Sequence, residues 1–522
     1  MTTRSKLSYL NPGKPTWFVG KLATMIKWLA LATVGVAGFA CLPRETASAN
    51  TESKRESGNL VASNRIQATN LSRLYTETCA KCHGEKGEGG GAGTKTLLTW
   101  DKYDQKNDRP FFDAIKNGVT DMGMDAYGPT MSDETIWGLV VHVRELQGRG
   151  LREQFGGPKE VDGVYSSQRA MYRMETVVDE GKGLQTPWGL DWLPDGTMLV
   201  TNRPGPVRLS KNGEVGPPIE GIPASREVGQ GGMMDVAVHP NYAKNGWIYL
   251  AFTDPSKTDQ RAGMTKIVRG KLRVNGLTGT WYGQETIYEN KPETYNGSGV
   301  HFGSRIVFDG KGHIYFSTGE RGNGELAQDL TKPNGKIYRV MEDGKVPSDN
   351  PFVSDSKNIG AIWSYGHRNP QGLVMDLNGT LWDTEHGPRG GDELNRIQKA
   401  ANYGWPKIAF SINYNDAPLS TPWPKEGQNF TLPVFRWLPS IGACGLDVVK
   451  GAAFPQWKGD LVAGGLSGAN VDRIRVKDDK VVEREELVFG KGRVRDVAVG
   501  PDGMIYVALN QPDKIVRLAP VK

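Results

Sequence analysis

At 522 residues the chain is too long for one ordinary domain and has room for a large core. Its formal net charge is +6, and Arg4, Lys6, Lys14, Lys21, Lys27 and Arg44 against Glu45 place five of those charges in the first 49 residues. The remainder is nearly neutral, which excludes the concentrated basic stripe of a nucleic-acid surface. In chain order, a short apolar run from Trp28 to Leu42 follows the lysines, and Ala47-Ser48-Ala49 offers small residues for cleavage after Ala49. Residues 1–49 are therefore predicted to be a secretory signal peptide. The run falls short of the roughly 20 apolar residues needed to cross a bilayer, so no stable membrane span is expected after cleavage. Residues 50–67, polar and rich in Ser, Asn and Glu, are predicted to be a flexible leader.

The string CAKCH follows, from Cys79 to His83. Two thiols three apart with a histidine directly behind them form a covalent haem-attachment site. Cys79 and Cys82 would make thioethers to haem c, and His83 would ligate the iron. A zinc knuckle is the alternative, but no second CxxC or HxxxH lies near to complete four ligands. A sixth iron ligand can come from Met122, Met124 or Met131, after which Ile136, Leu139, Val140 and Val143 recur at helical spacing. The pattern over residues 68–148 resembles the small all-α class I cytochrome c domain. In that family the axial methionine sits in a Gly-Met-Pro-Ala-aromatic turn, which GMDAY at Gly123 to Tyr127 matches apart from Asp125. The resemblance selects Met124, leaving Met122 and Met131 to packing or surface. Haem attachment in bacteria occurs outside the cytoplasm, so the motif agrees with export to the periplasm. With Cys41 removed and two thiols on haem, Cys444 is left unpaired and no disulfide framework is expected. Residues 149–168 mix glycine and charge without apolar period, which predicts an interdomain linker.

From 169 to 522 one theme recurs: an apolar strand, a turn such as Pro-Asp-Gly, a second apolar strand and a glycine-rich loop. GLDWLPDGTMLV, RIVFDGKGHIYFSTG, GLVMDLNGTLWDTE and DVAVGPDGMIYVAL are examples among six such units. Runs rich in Val, Ile, Tyr and Trp around tight turns read as antiparallel hairpins. Sheets of this kind repeated radially make an all-β propeller, here with six blades, whose central channel collects loops from every blade. A plain β-sandwich array is the alternative.

Long segments of this region, including TPWGLDWLPDG, VGQGGMMDVAVHPNY, HFGSRIVFDGKGHIYFSTGERG, WSYGHRNPQGL, EHGPRGGDELN, NYGWP and GRVRDVAVGPDG, are similar, in the same order, to the soluble quinoprotein aldose (glucose/sorbosone-type) dehydrogenases. Members of that family use pyrroloquinoline quinone (PQQ) and calcium. The resemblance makes His301 the general base that takes a proton from the anomeric hydroxyl, work suited to an imidazole. It assigns Gln230, Arg368 and Asn369 to the quinone, with Arg368 stabilising charge that develops there. It assigns Arg493 and Arg495 to the cofactor's carboxylates, which guanidinium forks suit, and alternate strand positions put both on one face. Gly387 and Pro388 match backbone carbonyls that hold the cofactor's calcium, and Glu393 and Tyr403 match a further calcium in parts of the family. Two departures are Ser467, where some relatives place a lysine on the quinone, and Val300, where they have aspartate before the base.

The resemblance thus implies an exported haem-quinoprotein that oxidises an aldose and passes electrons through its fused cytochrome to a respiratory acceptor. A sorbosone or other aldehyde dehydrogenase is the alternative on the same scaffold. A propeller that only binds sugar, beside a cytochrome that shuttles electrons, is the alternative of a different class.

Overall fold

The computed structural model describes residues 69–521, so the predicted signal peptide and most of the leader lie outside the described residues. The described residues form one compact unit. It opens with five helices: α1 (Leu71–Thr78), α2 (Ala80–His83), α3 (Trp100–Tyr103), α4 (Asp108–Asn117) and α5 (Asp133–Phe155). The Asn70 side chain caps α1 by accepting from the Arg73 N–H at 2.8 Å. Ser132 caps α5 in the same way, with Asp133 and Glu134 in the first turn where the helix dipole favours them. Helix α5 buries Ile136, Trp137, Leu139, Val140 and Val141 against Leu71, Tyr75 and Phe112. Among the described residues no helix is long and apolar enough to cross a membrane.

The segment 149–168 differs from the predicted linker. Helix α5 continues to Phe155, and Glu160–Val161 pairs with Val164–Ser166 in a hairpin that joins a propeller sheet. Gly148, just before this segment, and Gly150 within it serve close approach: a Cβ on the first would meet Pro439 at 2.7 Å, and one on the second would meet Leu98 at 2.7 Å.

The rest is a six-bladed propeller. Five blades are four-stranded antiparallel sheets spanning 187–218, 233–288, 306–365, 370–437 and 443–489. The sixth takes Arg493–Val499, Ile505–Asn510 and Lys514–Pro520 from the end of the chain and Met171–Val178 from before the first blade. Leu518 lies opposite Met174, and the ring is closed. Apolar side chains fill each junction between blades, as Leu199 and Leu209 do against Val236 and Leu250.

Aspartates carry the chain across these junctions by accepting backbone N–H groups of the next blade: Asp191 from Val238, Asp235 from Ile306, Asp447 from Val499 and Asp496 from Leu190. Arg305 joins two of them, with Nη1 at 2.9 Å from Asp235 and 3.0 Å from Asp496, while Nε donates to the Gln371 carbonyl. The guanidinium stacks under Trp188 at 4.4 Å. Burial pushes Asp496 up to about 7, and Arg305 opposes that rise.

Candidate active site

The thiols of the CAKCH motif flank the break between the two first helices, Cys79 as the C-cap of α1 and Cys82 within α2. Both are free and half-buried, and burial pushes Cys79 up to about 11. His83 Nδ1 is buried without a hydrogen-bond partner, and burial lowers its pKa, so the ring is held in the neutral, metal-binding form. Met124 is half-buried in a turn where its backbone pairs with Val119, and burial raises the pKa of Tyr127 of the same loop. Met122 is 80% exposed, and Met131 packs into the helical core. Two free thiols and an unpartnered imidazole nitrogen fit a covalently held haem.

On the propeller, the loop before the third blade carries His301 with φ at 54°, a left-handed conformation that fixes the ring's direction. Its N–H donates to Gln230 Oε1 at 2.8 Å, and its Nδ1 lies 2.5 Å from Glu320 Oε1. Arg321 holds the same loop from behind by donating to the carbonyls of Ser298 and Val300. Burial lowers the pKa of His301, with Arg368 acting in the same sense and Glu320 opposing it. The imidazole is therefore neutral near pH 7, with Nε2 left to accept a proton once Nδ1–H donates to Glu320.

Arg368 and Asn369 leave the third blade beside this pair. The Arg368 carbonyl accepts from the Glu320 N–H at 2.9 Å, and Asn369 Oδ1 accepts from the Gly303 N–H at 3.0 Å. Arg368 Nη1 reaches the carbonyls of His386 and Gly387, both at 3.1 Å, and Nη2 lies 3.4 Å from the hydroxyl of the exposed Tyr414. Arg495 comes from the inner strand of the sixth blade, where Val494 and Asp496 are buried and a register irregularity falls between them. Burial lowers its pKa to about 10, and Arg203 and Arg493 add to that. Burial pushes His386 down to about 3, and Arg368, His301 and Arg495 act on it in the same sense, from within electrostatic reach of its ring.

Arg368 Nε, Asn369 Nδ2, Arg495 Nε and His386 Nε2 are buried there without partners. Orphaned donors of this kind are costly unless a ligand satisfies them, and a molecule bearing several carboxylates and carbonyls is the acceptor that matches. PQQ fits that description. Below the Gly387–Pro388 loop, a small recess is lined by Arg368, Glu385, Glu393 and Tyr403. Glu385 and Glu393 face each other across paired strands, and His367, Asp383 and Glu385 bring ligand atoms within 4.8 Å of one another. Burial raises the pKa values of Asp383, Glu385 and Glu393, and Glu385 adds to the rise of the other two, a tension that a bound hard cation would relieve. Tyr403 forms a wall of this pocket, stacked on His367 at 4.6 Å with its hydroxyl donating to the Arg396 carbonyl. Ser467 is exposed and lines a separate cleft beside α5.

Hydrogen bonds thus bring together Gln230, His301, Arg368, Asn369 and Gly387, Pro388 lines the recess with Arg368, and Arg495, with Arg493 near it, lies within electrostatic reach of His386. Sequence reading did not single out Glu320, Arg321 or Tyr414. For the first two a signal exists, because a tight hairpin from 306 to 318 must return STGERG to the loop it left.

Residues 184–517 match the model of the glucose/sorbosone dehydrogenase family, and residues 67–143 match that of cbb3-type cytochrome c oxidase subunit III. The chain is 37% identical over 356 residues to the aldose sugar dehydrogenase of Escherichia coli K12, covering 67% of this chain and 94% of that protein. The crystal structure of the E. coli aldose sugar dehydrogenase in its apo-form superposes with a TM-score of 0.62 at 36% identity, covering 67% of this chain and all of that one. The PQQ-bound aldose sugar dehydrogenase of Streptomyces coelicolor gives a TM-score of 0.55 at 27% identity, over 68% of this chain and 99% of that one.

Proposed function

Because the chain belongs to the glucose/sorbosone dehydrogenase family and carries a cytochrome c domain ahead of its propeller, we propose that it is an exported haem-quinoprotein that oxidises aldoses at C1. The observation that carries this reading is the His301–Glu320 pair set against buried, unpartnered donors of Arg368, Asn369 and Arg495. A sugar-binding module has no use for that set. The apolar run from Trp28 to Leu42 and the CAKCH motif support export to the periplasm.

When bound, PQQ supplies an electrophilic carbon that accepts hydride, and calcium at the Gly387–Pro388 loop adds Lewis-acid polarisation. His301 Nε2 takes the proton of the anomeric hydroxyl as hydride leaves C1. Glu320 holds the ring in the tautomer that leaves Nε2 free, and it stabilises the imidazolium that forms. Arg368 and Asn369 place positive dipoles where negative charge develops. Arg493 and Arg495 hold carboxylates, and Gln230 fixes the backbone of the base. Glu393, with Asp383 and Glu385, offers the place for a second calcium.

The test uses the purified full chain with PQQ and calcium, and follows quinone reduction and dye reduction after an aldose is added. His301→Ala should keep the cofactor bound and slow reduction on the order of 10²-fold or more. Near-native reduction in that variant would overturn the base assignment. A wild-type protein that reduces dye with a ketoaldehyde such as sorbosone and ignores aldoses would move the substrate class.

A further inference from the structure

The Gly387–Gly391 loop has two faces, and the second is covered by the cytochrome. A Cβ on Gly390 would meet Leu438 at 2.6 Å and Val141 of α5 at 3.2 Å, so the loop backbone lies directly against the helix. Arg389, next along from Pro388, forks onto Glu145 of α5 at 2.7 and 2.8 Å. Its Nη1 also reaches Asp416 Oδ1 at 2.9 Å. Asp416 in turn accepts from the first-turn N–H groups of α1, Leu71 to its carbonyl at 2.9 Å and Ser72 to its carboxylate at 2.8 Å. Cys79 is the C-cap of helix α1. Phe410, Ile412 and Leu438 of the propeller share one hydrophobic cluster with Trp137 and Val141, and Cys79 packs against that same cluster. Packed protein therefore runs from the cofactor loop to the haem-attachment thiol.

We propose that Glu145, Arg389 and Asp416 lock the cytochrome onto the cofactor loop, and that this fixed contact is the route by which electrons reach the haem. The inference rests on the function proposed above. Sugar oxidation leaves two electrons on the quinone as quinol. Each transfer takes one electron from the quinol and reduces ferric to ferrous iron, the quinol's protons leaving to water. An external one-electron acceptor must reoxidise the iron between the two transfers. A fixed contact removes the orientational search that a mobile tether would impose on both. The three charged groups are positioning residues.

The test compares two rates in the haem-loaded full chain with PQQ and calcium: substrate-driven reduction of the haem band, and reduction of an added dye. Hydrogen exchange at the Leu71 and Ser72 amides, with and without PQQ, reports the lock independently of turnover. Glu145→Lys should raise that exchange and slow haem reduction on the order of 10-fold or more, while dye reduction stays within about twofold. Glu145→Asp, which keeps the charge, should retain most of the haem rate. If Glu145→Lys does not fold, Glu145→Gln, which removes the charge that Arg389 forks onto and keeps the side chain's volume, gives the same comparison. Wild-type haem reduction in a variant with raised exchange overturns the route. Exchange unchanged in Glu145→Lys overturns the lock, and so do haem and dye rates that fall together. A wild-type protein that reduces no dye defeats the proposed function; one that reduces dye and leaves haem oxidised defeats this inference alone.

Discussion

Arg305 binds Asp496, and Arg495 is the residue beside that aspartate, yet the two arginines are in opposite electrostatic circumstances. Arg305 has two carboxylates, a carbonyl and the face of Trp188, and its charge is compensated inside the ring. Arg495 makes no ion pair among the described residues: burial, with Arg203 and Arg493 nearby and Asp513 only partly offsetting them, lowers its pKa to about 10, and its Nε is orphaned. One charge is spent on joining blades. The other is held unpaired at a cost of desolvation that folding alone does not return, which is the mark of a group kept for a ligand.

Substitution separates the two. Arg305→Met should destabilise the propeller by about 3–5 kcal/mol, because Asp235 and Asp496 are then left buried and uncompensated. Urea unfolding measures this, and a loss under 1 kcal/mol would remove the distinction between hub and site. Arg495→Met should leave unfolding stability unchanged or raised, and should weaken PQQ binding by about 1.5–3 kcal/mol, the worth of a charge-assisted contact. Excess quinone should restore much of the activity by mass action. PQQ affinity indifferent to Arg495 would move the carboxylate site elsewhere.

Glu320→Gln sharpens the comparison at the base. Burial already lowers the pKa of His301, and Glu320 is the group that raises it. Activity should rise with pH as His301 loses its proton. Removing the carboxylate should shift that acidic limb to lower pH and reduce the plateau about 10-fold. A pH–rate profile with an unmoved limb would show that Glu320 only packs.

What could be read from the sequence was what is written locally. CAKCH carries its chemistry in five residues, and each blade announces itself through turns between apolar strands, so six blades follow from spacing. The site residues were found through long ordered matches to a family, because an isolated histidine or an RxR pair has no local signature. The segment 149–168 shows the limit. Gly150, and Gly148 just before the segment, look like linker glycines because the residue that requires Gly148, Pro439, is far away in sequence. Tyr414 and Arg389 gained meaning from what folds against them, and the Glu145 partner of Arg389 is 244 residues away.

The pairing of Met171–Val178 with Lys514–Pro520 has a consequence for how the molecule is made. Arg517 and its partner Glu175 lie 342 residues apart, whereas the helices of the cytochrome are neighbours in the chain. At roughly 5–20 residues per second, the ribosome needs on the order of tens of seconds to deliver the second partner after the first. Until the last strand arrives, Met171–Val178 and Ile505–Asn510 present unpaired edges, the kind of surface that recruits a neighbouring chain. The propeller ring therefore stays open until Lys514–Pro520 is in place, and loss of those seven residues would be as damaging as loss of a blade.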